Sequence, residues 1–235
     1  MSKVVFDISM SLDGFMTGAN RRPEEPLGDG GERLHEWAFG EDPRDRAVLT
    51  DGVASIGAVI AGRRTYDDSV PWWGADGPTG PARVPVFVLS HDVPEGTPAG
   101  GVYTFVTGGI EAALEQARAA AGEKGVTVIG GAETGQQFLR AGLVDELSIH
   151  LVPVLFGSGT RMFDNLGDQP RTKLVLALGL DPGLVDGAGG EQGDDRDHLA
   201  ADGDPGGVNR GAPGQVAVAD DERPDRAGGH AEAAA

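Results

Sequence analysis

The sequence predicts an α/β layered domain, and three observations carry that prediction. Short apolar, β-branched runs recur along the chain, at Lys3 to Ser9, Ala58–Ala61, Val84–Leu89, Val102–Val106 and Val126–Ile129. Segments with helical spacing of apolar residues fall between them. Glycine pairs or clusters stand where the runs end, as at Gly62 and at Gly130-Gly131.

Lys3 to Ser9 reads as a central strand, followed by the loop Met10-Ser-Leu-Asp-Gly-Phe-Met-Thr-Gly18, in which Asp13-Gly14 is a turn signal by itself. Residues 19–31 are polar and rich in proline and glycine, which predicts a mobile loop. Leu34, Trp37 and Phe39 fall in a short helix. Arg44 to Ile56 reads as a second helix, with Val48, Leu49, Val53 and Ile56 at core spacing. The strand Ala58–Ala61 runs into Gly62-Arg-Arg-Thr-Tyr66. Two arginines at a strand exit suit phosphate oxygens, or equally a solvated pair balancing Asp67 and Asp68. Pro71-Trp-Trp-Gly74 is expected in a loop, where Trp72 and Trp73 either plug the core edge or line an apolar pocket.

Val84–Leu89 leads to Ser90-His-Asp92, Val102–Val106 is a further strand, and Gly109 to Ala121 is a helix. The run Val126–Ile129 breaks on Gly130 and Gly131 before a helix from Glu133. A strand that breaks on two glycines and opens a helix leaves backbone N–H groups free at the positive end of the helix dipole. That turn is either an anion site or a plain tight connection. Ala132 departs from the dinucleotide fingerprint G-x-G-x-x-G. Asp145 to Leu155 alternates as a strand, with Pro153 suggesting an edge or a bulge. His150 reads as a half-buried strand residue. Lys173–Leu180 is one more strand.

Composition changes at Asp181. Residues 181–235 hold no aromatic residue and no lysine, and their 13 acidic residues against 4 arginines supply half of the formal charge of −18. Such a segment buries too little apolar surface to offset its ordering entropy, so disorder is expected there and a folded domain over 1–180. Nothing after Asp181 alternates as a strand should, and an abnormal terminus such as a shifted reading frame is the expectation. The acidic balance argues against nucleic acid as a partner. With no cysteine, thiolate chemistry, disulfides and Cys-ligated zinc are excluded. No apolar run approaches the ~18 residues of a membrane span, and a soluble cytoplasmic protein is expected.

Four motifs stand in register: Ser-Leu-Asp-Gly (11–14), Val-Ile-Ala-Gly-Arg-Arg-Thr-Tyr (59–66), Val-Phe-Val-Leu-Ser (86–90) and Val-Ile-Gly-Gly-Ala (128–132). Together they resemble the dihydrofolate reductase superfamily. Within it they are most similar to the branch containing the reductase domain of the riboflavin-pathway bifunctional deaminase-reductase. The resemblance implies a three-layer fold, a mixed and mainly parallel sheet flanked by helices, with NADPH along the C-terminal strand ends. Gly62, Arg63, Arg64 and Thr65 would contact cofactor phosphates. Ser90, with His91 beside it, would lie near the adenosine 2′-phosphate. Gly130, Gly131, Ala132, Glu133 and Thr134 would hold the pyrophosphate, and Thr17 and Gly18 would border the nicotinamide. Asp13 would be the catalytic residue on the substrate side, with the proton reaching the substrate either directly from it or through water.

In dihydrofolate reductases a carboxylate three residues before a first-helix tryptophan engages the pterin. With Trp37 as that tryptophan, the place falls to Leu34, which favours the riboflavin-type branch. The deaminase half is not implied, because its P-C-x-x-C zinc motif needs cysteine. The resemblance therefore implies an NADPH-dependent reductase of a small heterocycle, of the 5-amino-6-(5-phosphoribosylamino)uracil reductase type, with a homodimer as the family tendency. An NADPH-binding sensor without turnover, and dihydrofolate reductase-type activity, are the alternatives. Family members finish with an antiparallel hairpin, of which Leu174–Leu180 would be the first strand.

Overall fold

The structure is a computed structural model and describes residues 2–164, 166, 173–177 and 215–217. The apolar run near the N-terminus forms β1 (Val4–Ser11), and a short β2 (Phe15–Thr17) follows the Asp13-Gly14 turn. A single 3-10 turn (Gly31–Leu34) precedes α1 (Glu36–Phe39) and α2 (Pro43–Ser55). Then come β3 (Ile56–Gly62), α3 (Arg63–Trp73), β4 (Val86–Leu89), β5 (Tyr103–Val106), α4 (Gly109–Ala121), β6 (Gly125–Ile129), α5 (Ala132–Arg140) and β7 (Glu146–Val152). β8 (Thr160–Arg161) pairs with β2, and β9 (Lys173–Ala177) and β10 (Gln215–Ala217) complete the described strands.

The sheet order is β10-β9-β7-β1-β6-β3-β4-β5, parallel throughout except for the antiparallel pair β9–β10. Parallel neighbours need crossovers, and the helices that supply them cover both faces. On one face Val4, Phe6, Val126 and Val128 pack beneath Ala113, Leu114 and Ala117 of α4 and Phe138 of α5. On the other, Val59, Ala61, Val86 and Val88 pack with Tyr66 of α3, whose ring meets those of Tyr103 and Phe105 edge-on. Helices on both faces of a mainly parallel sheet give the three layers that the sequence predicts. Gly135 is what brings α5 so close to β1: a Cβ there would overlap the ring of the fully buried Phe6.

Several local expectations change. Residues 19–31 are tied down: Gly18 N–H donates to Leu27 O and Asp29 N–H to Ala19 O, while Arg22 pairs with Glu25 and Asp29 and Arg21 with Asp68. Helix α2 forms where its spacing predicts, yet none of its residues is buried and Val48 is exposed. Pro153 stands just past the end of β7, which is flanked by β1 and β9 and is no edge. A strand does follow Asp181, since Gln215–Ala217 pair antiparallel with Val175–Ala177 as the outermost strand. Three residues are too few for alternation to show in the sequence. The remainder of 181–235 lies outside the described residues.

Candidate active site at the strand ends

The two strand-to-helix turns predicted to bind phosphate are interlocked. β3 and β6 are neighbours, but α3 leaves to one face of the sheet and α5 to the other. A crevice at such a switch point, outside the carboxyl ends of parallel strands, is where open α/β sheets bind ligands. Each turn contributes a glycine that admits the other's threonine. A Cβ on Gly62 would overlap Thr134 Oγ1, and one on Gly130 would overlap Thr65 Oγ1 and Cγ2. Gly130 also holds φ +79°, where an L-residue is strained. Gly131 N–H donates to Thr65 Oγ1 at 2.9 Å. Neither α3 nor α5 has a side-chain N-cap, so most of their first-turn N–H groups stay available to an anion.

Arg63 opens α3, where the dipole disfavours a cation. Its guanidinium is held by Asp67 (Nε to Oδ1, 2.9 Å), by Asp92 (Nη1 to Oδ1, 2.8 Å) and by the Ser90 hydroxyl (3.1 Å). The structure thus joins Arg63 to Ser90, 27 residues on. The balancing role of Asp67 is also real, but Asp67 and Asp92 are both exposed. Exposed pairs of this kind are worth about 0–1 kcal/mol, so a phosphate can displace them. Arg64 and His91 are exposed, Arg64 with no hydrogen bond or ion pair to a described residue. Ala132 is buried and Glu133 exposed on the first turn of α5. These features fit a dinucleotide's phosphates: two uncapped helix starts, glycines where a side chain would collide, and an arginine with a hydroxyl alongside.

Asp13 is wired rather than poised. Its carboxylate accepts from Ser11 Oγ (2.6 Å), Phe156 N–H (3.1 Å) and Gly157 N–H (2.7 Å). These bonds, that from Ser11 first, hold its pKa down to about 2. An aspartate that low is ionised at neutral pH and carries no proton to give. It pins the segment Phe156–Thr160 against the β1–β2 turn instead. There a Cβ on Gly159 would overlap Thr17 O, while Thr17 Oγ1 donates to Thr160 Oγ1 at 2.9 Å. Thr17 and Gly18 are both buried, so they shape this wall and present no free side-chain group.

Trp72 and Trp73 do not line the site. They occupy the last turn of α3, not a loop, and Trp72 is 73% exposed. The helix starts at the C-terminal end of β3, so its own end lies toward the opposite rim of the sheet. There Val102 N–H, beside the start of β5, bonds Ala75 O. The helix runs past Pro71 to Trp73, and Gly74 N–H closes it on Val70 O at 3.0 Å.

The structure also shows a polar group that sequence reading passed over. On the face of the sheet bearing α3, Asp7 Oδ1 lies 3.0 Å from His150 Nε2 of the adjacent strand. Trp37 stacks on the His150 ring at 4.4 Å and donates from Nε1 to Ser9 Oγ at 3.2 Å. His35 is next to this group, its pKa lowered by burial and then by His150, and its Nδ1 is buried without a partner. The available signal was the carboxylate itself, in a strand otherwise reading as core. Leu34, the position where a pterin-binding acid would stand, is fully buried. Among the described residues no cluster suits a metal ion, and no helix is long and apolar enough to cross a membrane.

The family model of the RibD C-terminal domain matches residues 2–185. A protein named for riboflavin biosynthesis from Shewanella sp. PV-4 is 26% identical, covering 74% of this chain and 88% of its own, with a TM-score of 0.49. A diaminohydroxyphosphoribosylaminopyrimidine deaminase/5-amino-6-(5-phosphoribosylamino)uracil reductase from Thermotoga maritima is 15% identical (TM-score 0.45). The match covers 69% of this chain and 48% of that one. The riboflavin biosynthesis reductase of Saccharomyces cerevisiae is 18% identical, covering 74% and 80%, with a TM-score of 0.41. None of the curated proteins matches the chain.

Proposed function

Because the chain belongs to the RibD C-terminal domain family, a family of pyridine-nucleotide-dependent pyrimidine reductases, we propose that it is an NADPH-dependent reductase with its cofactor at the β3–β6 switch point. The observation that carries this reading is the interlocked pair of uncapped helix starts with Arg63 and Ser90 beside them. Gly130, Gly131, Ala132, Glu133 and Thr134 hold the pyrophosphate through backbone N–H groups, and Gly62 and Thr65 complete that cradle. Arg63, Arg64, Ser90 and His91 recognise the 2′-phosphate, the group that distinguishes NADPH from NADH. When bound, the cofactor supplies a hydride, and the protein supplies orientation and electrostatics.

Asp13 acts as a positioning residue in this scheme: ionised, it fixes Phe156–Thr160 over Thr17 and Gly18, which back the nicotinamide end. The substrate is a small nitrogen heterocycle of the ribosylaminopyrimidine class, such as 5-amino-6-(5-phosphoribosylamino)uracil. The buried Leu34 argues against a pterin, whose ring needs an acid there.

Titration with NADPH and NADH, followed by cofactor fluorescence, tests the assignment. NADPH should bind tightly and NADH weakly. The double variant Arg63→Ala/Arg64→Ala should lose about 10–100-fold in NADPH affinity, the worth of a charge-assisted contact. Equal binding of the two cofactors would refute the 2′-phosphate site. NADPH oxidation measured over a panel of pyrimidines and pterins then identifies what is reduced.

A further inference from the structure

We infer that Asp7 is the substrate-anchoring acceptor of this site, positioned by His150, and that it selects a ring presenting N–H groups. The inference rests on the reductase reading for the class of ring and on the following geometry for its place.

β1 is a central strand, with β6 on one side and β7 on the other. Its residues Phe6, Ile8 and Met10 face the core under α4 and α5. Asp7, Ser9 and Ser11 face the opposite way. A strand buried on both faces reads as continuously apolar, and an ionised group there costs several kcal/mol unless it is solvated or paired. Asp7 is both: its side chain is 38% exposed while that of His150 is 10% exposed. Exposure in the middle of a sheet means that no layer of the described residues fully covers the carboxylate. Asp7 stands opposite Ile129, the last residue of β6, so the opening lies beside the point where Gly130 leaves the sheet. That is the turn assigned to the pyrophosphate.

Only Oδ1 of Asp7 is bonded, and Oδ2 has no hydrogen-bond partner among the described residues. His150 is fixed from one side by the Trp37 ring, and Ser9 Oγ accepts from Trp37 Nε1, which leaves the Ser9 hydroxyl proton without a described acceptor. A free carboxylate oxygen takes N–H donors, and a hydroxyl two residues along the same face offers a proton to a carbonyl. Together they are complementary to the N–H and C=O edge of an aminopyrimidinone. His150 touches no substrate in this arrangement. It sets the orientation of Asp7, as a second-layer partner does in other polar sites.

The test is calorimetric titration of 5,6-diaminouracil into the full chain without cofactor. Wild type should bind, and Asp7→Asn, which keeps the shape but puts an amide where the acceptor was, should bind about 10–100-fold more weakly. Its NADPH affinity should stay within about twofold of wild type, which shows that the fold is intact. His150→Ala should weaken the probe and His150→Gln, which can still donate to Asp7, should restore part of the loss. In wild type the ring Nε2 resonance of His150 should shift when the probe binds, a response that a packing role would not give. Absence of probe binding to wild type, equal binding to Asp7→Asn, or a silent His150 resonance overturns the inference. Absence of NADPH binding to wild type counts against the cofactor reading alone, since the probe titration does not use the cofactor.

Discussion

Replacing Gly130 by alanine attacks the joint between the two turns at one atom. The residue holds φ +79°, and an alanine in that region costs about 1–2 kcal/mol. Its Cβ would also overlap Oγ1 and Cγ2 of Thr65 and come within 2.7 Å of Thr65 Cβ, an overpacking of the kind that costs about 1–3 kcal/mol. Together the loss is about 2–5 kcal/mol, or roughly 4–20 °C in Tm for a domain of this size. Urea unfolding of Gly130→Ala should show the loss in midpoint without a change in slope. Gly52→Ala is the control: Gly52 is an exposed position inside α2 with nothing within 4 Å of the added atom, so it should gain about 0.5–1 kcal/mol. Thr65→Ala alone should lose the bond from Gly131 N–H, about 1 kcal/mol, but in the Gly130→Ala background it should relieve the collision. The double-mutant cycle should therefore be non-additive by more than about 1 kcal/mol. An additive cycle, or a Gly130→Ala variant as stable as wild type, would refute the reasoning about the interlocked turns.

Asp13 has its pKa lowered from 3.8 to about 2, so its contribution is complete above 3.8 and is lost as pH falls through 2. Carboxyl NMR should find that low midpoint in wild type and a rise toward 3.8 in Ser11→Ala, and an unmoved midpoint would remove Ser11 as the main cause. Gly135→Ala should destabilise by about 1–3 kcal/mol because the new methyl meets the buried Phe6 ring, and Phe6→Leu should recover part of that loss in the same background. Trp72→Ala should leave stability within about 0.5 kcal/mol and the affinity for 5,6-diaminouracil unchanged, whereas a loss of that affinity would restore the pocket-wall expectation.

Local chemistry made much of this protein legible in one dimension. The β-branched runs and helical spacings determine where strands and helices form, because those periods are set by neighbours a few residues away. The glycines at 62 and 130 mark strand exits for the same reason, and Ser11-Leu-Asp-Gly14 carries its own turn, with Gly14 N–H bonded to Ser11 O. Family membership followed from the order of such motifs. What each glycine makes room for was not legible: Thr134 for Gly62, and Thr65 for Gly130, are partners only once β3 and β6 lie side by side. The pairing of Arg63 with Ser90 likewise depends on β3 beside β4.

The misplaced tryptophans show the limit from the other direction. Pro71 and Gly74 read as a loop, but the helix continues through Pro71 to Trp73, and helix polarity then carries both rings away from the strand ends. Asp7 and His150 lie 143 positions apart and meet because β1 and β7 pair in parallel register, with Ser9 opposite His150. Sequence alone determined most of the elements and the two glycine turns, which depend on short-range sterics and backbone hydrogen bonding. Only the tertiary structure decided that the Asp13 carboxylate is held by backbone N–H groups while that of Asp7 is left partly open, because the difference lies in which distant N–H groups reach each carboxylate.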